Sequence, residues 1–67
     1  MKAAGLDVGS RTLKLVILNG NRIIWAAKSL SSFDQLGSVL NLLNGLEYDR
    51  ITVTGYGRHL VSAHLGC

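Results

Sequence analysis

The chain has a single cysteine, Cys67, so no disulfide can form within it. That usage agrees with a reducing compartment. Charge is scarce as well, at 16% of 67 residues. Seven Lys and Arg stand against four Asp and Glu, a net charge of +3, and the basic residues are scattered and never clustered. This leaves nucleic-acid binding unsupported. A mild positive balance fits a phosphate-rich small ligand, and it fits a chance surplus as well. No apolar run approaches the ~18 residues of a membrane span. Between Lys2 and Asp7 there are only four uncharged residues, too few for the apolar core of a signal peptide. The expectation is a soluble cytoplasmic protein with neither a membrane nor a nucleic acid as partner.

Apolar residues, by contrast, are plentiful at 48%, which is folded and not disordered in character. A chain this short makes one small domain at most and buries only about 60% of the surface its unfolded form exposes. So much apolar material in so small a body suggests a piece of a larger protein, or a subunit that covers a face with a partner, a homo-oligomer included.

The organising stretch is Gly5-Leu6-Asp7-Val8-Gly9-Ser10-Arg11-Thr12-Leu13-Lys14-Leu15-Val16: an apolar strand, a small polar turn and a second apolar strand. A carboxylate at the end of a buried strand can hold a hydrated Mg2+, and a glycine lets backbone N–H groups approach a phosphate. Ser10 and Thr12 can add hydroxyl donors. The same pattern also describes an ordinary hairpin. Lys14 is open to two readings, a side chain snorkelling to the sheet margin or a cation near the phosphates.

In chain order, Ala3 to Val8 and Leu13 to Leu18 read as strands, and Asn19-Gly20 as the two central residues of a type I′ turn. Arg22 to Leu30 then forms a third strand, with Ile23, Trp25 and Ala27 on one face and Ile24, Ala26 and Lys28 on the other. Trp25 reads as a packing residue of the core or its margin. Ser32 and Gln35 have capping-box spacing, which starts a helix near Phe33. Leu36, Val39, Leu40 and Leu43 form its apolar face, extended by Phe33 and Leu46, and Asn44-Gly45 stops it. Ile51 to Thr54 is a fourth strand, parallel to the third across the helical connection.

Gly55-Tyr56-Gly57-Arg58 follows as a tight turn into a second helix, His59 to Leu65. Such a turn permits close backbone approach to a ligand and can aim helix N-terminal N–H groups at an anion; it can also be simply a sharp strand-to-helix turn. His59 and His64 are five apart, on different helix faces, which argues against a shared metal. With the strands ordered third, second, first, fourth, the first and fourth run parallel. Asp7 to Thr12 and Thr54 to Arg58 then open onto one crevice at a switch point.

Three meandering strands, a helix and a fourth strand, opened by G-L-D-V-G-S-R-T-L-K-L-V, resemble the N-terminal half-domain of the actin, heat-shock ATPase and sugar-kinase superfamily, with its ribonuclease H-like fold. With T-G-Y-G-R added, the chain resembles the ATPase activators of 2-hydroxyacyl-CoA dehydratases and the ATP-binding subunits of benzoyl-CoA reductases. Residues 1–67 would then be a single partial domain, the N-terminal portion of an actin-like ATPase domain.

The resemblance implies ATP and Mg2+ as ligands. Asp7 would hold Mg2+ through water, and Gly9, Ser10 and Thr12 would form the first phosphate loop. Lys14 stands at a position commonly basic or polar. Gly55, Tyr56, Gly57 and Arg58 would lie near the cleft, the two glycines acting through backbone geometry before any ligand contact. Arg11 departs from the small residue or Thr often found there. It implies, too, a homodimer whose ATP hydrolysis drives an electron from a bridging iron–sulfur cluster into an acyl-CoA dehydratase or reductase. The second phosphate loop, the adenosine site and the cluster cysteines lie outside the matching stretch, and Cys67 lacks the context of a cluster ligand, so the cluster is not carried over. Two expectations follow: a nucleotide-binding front end without turnover of its own, or a non-catalytic module that associates through apolar surface.

Overall fold

The computed structural model describes residues 1–66, which leaves Cys67 outside the description. Three strands come first, β1 (Lys2–Val8), β2 (Thr12–Asn19) and β3 (Arg22–Leu30), followed by α1 (Gln35–Leu43), β4 (Arg50–Thr54) and α2 (Arg58–Leu65). The sheet order is β3-β2-β1-β4, with β1 antiparallel to β2, β2 antiparallel to β3, and β1 parallel to β4. This is a mixed α/β architecture, a partial ribonuclease H-like fold of the actin-like kind.

Alternation along the strands decides which face is covered. Ala4, Leu6 and Val8 of β1 and Leu13, Leu15 and Ile17 of β2 are buried, together with Val39 and Leu43 of α1 and Val61 of α2. Ile51 and Val53 of β4 pack against this core from the margin. Gly5, Asp7, Lys14, Val16, Thr52 and Thr54 lie on the opposite face, which no helix covers, and Val16 is 37% exposed there.

The connections depart from the sequence reading in four places. Asn19 pairs with Arg22, so the hairpin loop is Gly20-Asn21. Gly20 has φ +62° and Asn21 does not have positive φ, the pattern of a type II′ turn with glycine first. Secondly, Ile17 pairs with Trp25 but Leu18 with Ile23, leaving Ile24 as a bulge. The extra residue moves Ile23 to the face opposite Trp25. Thirdly, Trp25 is 49% exposed, because the helices do not extend over β3. Finally, α1 is capped by Asp34, whose Oδ1 accepts the Gly37 N–H at 3.0 Å. The helix thus starts two residues later than Phe33, which is fully exposed; Ser32 instead bonds the Asp34 carbonyl and the Ser38 hydroxyl.

Candidate functional site

Asp7 sits one residue before the end of β1, exposed on the open face, between its register partners Lys14 on β2 and Thr54 on β4. The Thr54 hydroxyl donates to Asp7 Oδ1 at 3.4 Å. One residue on, the Val8 carbonyl accepts the Gly57 N–H at 3.0 Å. The two glycine-bearing loops, about fifty positions apart in sequence, therefore meet at the carboxyl ends of two adjacent parallel strands.

That closeness requires glycine. Gly55 has φ +98°, and a Cβ there would lie 2.5 Å from the Val8 carbonyl oxygen and 2.6 Å from Asp7 Oδ1. A Cβ on Gly57 would meet Val8 Cγ1 at 2.6 Å. Both glycines act by letting the backbone turn pass against β1.

The same bonds limit what the turns can offer an anion. Gly57 N–H is spent on Val8, and Arg58 N–H donates to the Gly55 carbonyl at 3.2 Å. Arg58 Nη1 also donates to that carbonyl, at 3.0 Å, so the guanidinium folds back onto its own turn. At the start of α2, the N–H groups of Gly57 and Arg58 thus close the turn. Tyr56 projects from it, 86% exposed.

In the first loop, Gly9 N–H donates to the Thr12 carbonyl at 3.0 Å and closes the turn. Ser10 and Arg11 stand exposed at its tip, while Thr12 enters β2 half-buried. The Arg11 carbonyl accepts Ser31 N–H at 2.7 Å, which ties the turn to the end of β3. Gly9 is thus a shaping residue, and the tip residues Ser10 and Arg11 are the ones presented outward.

Sequence reasoning missed Gln35. Its Nε2 donates to the Gly9 carbonyl at 3.2 Å and to Ser31 Oγ at 3.4 Å, so α1 braces the first loop from behind. The signal available was Asp34, which as N-cap makes Gln35 the first helical residue and frees its side chain from a capping box. Thr54, too, gains a role as the hydroxyl partner of Asp7.

Beside Asp7 the open face carries a shallow hollow of about 240 Å³ lined by Gly5, Leu6, Asp7, Lys14, Val16, Thr52 and Thr54. A hollow of about 300 Å³ lies at the other end of the sheet, against Met1, Lys2, Asn19, Glu47, Tyr48 and Asp49, away from both glycine loops. Among the described residues there is no cluster of three or more His, Cys, Asp or Glu to hold a metal by protein ligands alone, and no helix long and apolar enough to cross a membrane.

The fold defines a class before any relative does. Solved structures of Aquifex aeolicus share it: a PPX-GPPA enzyme (TM-score 0.61, 14% identity, 100% of this chain and 34% of that one) and a Ppx/GppA family member (0.62, 14%, 100% and 33%). The type II variant of the Ppx/GppA phosphatase from the same organism matches at TM-score 0.59 and 16% identity, over 97% of this chain and 30% of that one. At such identities the likeness is one of fold. In sequence, the chain is 36% identical to an uncharacterized Methanocaldococcus jannaschii protein, MJ0004, over 87% of this chain and 26% of that protein. The chain therefore spans about a quarter of the length of the curated relative it matches. No protein-family model matches it.

Proposed function

We propose that this chain is the phosphate-binding front of a nucleotide site, with ATP as ligand and Asp7 holding Mg2+ through water. The observation that carries the reading is the meeting of the two motifs, with the Thr54 hydroxyl on Asp7 Oδ1 and the Gly57 N–H on the Val8 carbonyl. The residues fit a hydrated cation. Mg2+ keeps most of its water and takes one or two carboxylates plus substrate phosphates, which one exposed carboxylate at a strand end can satisfy. Bound Mg2+ would neutralise phosphate charge. Ser10 and Arg11 at the loop tip would meet the phosphates, Thr12 would support them from β2, and Lys14, opposite Asp7, would supply a second cation.

The finer reading is an ATP-dependent activator of a 2-hydroxyacyl-CoA dehydratase, supported by G-L-D-V-G-S together with T-G-Y-G-R. ATP hydrolysis by this stretch alone is not part of the proposal, because a hydrolytic site needs a positioned water and a complete phosphate clamp. The test is an NMR titration with Mg2+-ATP that follows the amides of Ser10, Arg11 and Gly55. Saturable shifts at both loops, abolished in Asp7→Ala, are expected. No shift up to millimolar Mg2+-ATP in the folded chain would refute the reading.

A further inference from the structure

A row of side chains crosses the uncovered face of the sheet at the level of Asp7: Thr54 of β4, Asp7 of β1, Lys14 of β2 and Lys28 of β3, each the register partner of the next. Lys14 and Lys28 are both exposed and stand directly opposite each other, with Cβ atoms about 5 Å apart. Like charges so placed destabilise a sheet unless a counter-charge offsets them.

The described residues supply none. Of the four acids, Asp34 caps α1 through the Gly37 N–H, and Glu47 and Asp49 sit at the far end of the sheet, where both engage Lys2. Asp7 is the nearest, yet its Oδ1 takes the Thr54 hydroxyl and lies 2.6 Å from the place of a Gly55 Cβ, so this carboxylate is turned toward β4. Among the described residues the one ion pair is Lys2 with Glu47 at 3.9 Å, and neither Lys14 nor Lys28 joins one. Gly5, Val16 and Ala26 form the next row on the same face, and the hollow of about 240 Å³ opens there beside Lys14. A bound group has room next to the lysines.

We infer that Lys14 and Lys28 together form a seat for a doubly charged oxyanion, a phosphate group, that needs no metal. Two ammonium groups match two negative charges, and each brings three donors to the oxygens. A carboxylate would leave one charge unmatched. The inference does not depend on the nucleotide reading, because Lys28 has no part in that proposal and Asp7 has none in this one.

The chain has three lysines, so selective isotope labelling of lysine gives three side-chain NMR signals, with Lys2 as an internal control. The titration is run in EDTA at low ionic strength, where charge contacts are least screened. Inorganic phosphate should shift Lys14 and Lys28 saturably and leave Lys2 in place, and acetate at equal ionic strength should give no saturable shift. Lys28→Gln, on an exposed edge strand, should weaken phosphate binding at Lys14 by roughly ten-fold, whereas Lys28→Arg keeps it; amide spectra check the fold of both variants. Phenyl phosphate separates the sources: binding tighter than that of inorganic phosphate, through the ring in the hollow, marks a phosphoryl group on a larger molecule, and equal or weaker binding marks free phosphate. Lys14 and Lys28 signals that do not saturate, a Lys2 signal that moves with them, acetate acting as phosphate does, or binding indifferent to Lys28→Gln overturns the inference.

Discussion

Replacing Gly55 by alanine isolates the contact on which the site is built. Two costs combine. A non-glycine residue at φ +98° is strained by about 1–2 kcal/mol. The new Cβ also falls 2.5 Å from the Val8 carbonyl oxygen, and real Cβ atoms stay beyond 3.0 Å. The obstruction is backbone, in a central strand whose Val8 is wholly buried, so the turn must lift away. That opens the bond from Gly57 N–H to Val8 and leaves a buried donor unmade, at about 1–3 kcal/mol. The sum is about 2–5 kcal/mol, against a total stability that rarely exceeds about 3–5 kcal/mol in domains this small.

Gly20→Ala is the control, because Gly20 also has positive φ (62°) but nothing lies within 4 Å of its added Cβ. Both variants gain the same stiffening of the unfolded chain, which cancels in the comparison. The remaining difference of about 2 kcal/mol should place the melting midpoint of Gly55→Ala about 8–16 °C below that of Gly20→Ala by circular dichroism. Two midpoints within about 3 °C of each other would refute the contact, since a clash with β1 could not be so cheap.

Two further outcomes test the supports of the first loop and the helix. Asp34→Ala should destabilise by about 1 kcal/mol through loss of the N-cap, whereas Ser32→Ala costs less than half of that, and thermal melts in the opposite order would restore the capping box. Gln35→Met removes the donor to the Gly9 carbonyl with little change in volume. Hydrogen exchange at Gly9 should then quicken by about five-fold, the equivalent of one ordinary hydrogen bond, and unchanged exchange would mean that the brace does not hold the turn.

The direction of β4 was legible because the long helical connection permits a parallel return, whereas the order β3-β2-β1-β4 was set by analogy with open α/β sheets and not forced by the residues. The approach of the two loops followed from that order. Local geometry was less legible. Asn19-Gly20-Asn21 offers two overlapping turn pairs, and only the register shows that Gly20-Asn21 is used. A bulge leaves no mark in a run such as Ile23-Ile24-Trp25-Ala26, where every residue is apolar, so Ile23 was assigned to the face that Trp25 and Ala27 do share. Phe33 continues the spacing of the helical stripe, but the Asp34 cap begins the helix beyond it. The bond from Gln35 to Gly9 spans 26 residues and has no local signature.

β4 is tied to β1 at both of its ends. Asp49, just before it, accepts the Lys2 N–H at 2.7 Å, and Thr54, its last residue, donates to Asp7, each link joining positions 47 apart. The three-stranded meander can assemble from neighbours in the chain, but the fourth strand must return from a distance whose closure entropy is met before any contact rewards it. The wall of the site facing Asp7 is consequently the late-arriving part of the fold. A ligand held between Asp7 and Thr54 would act as a clasp on that last strand, slowing its release while leaving the meander's own formation rate unchanged.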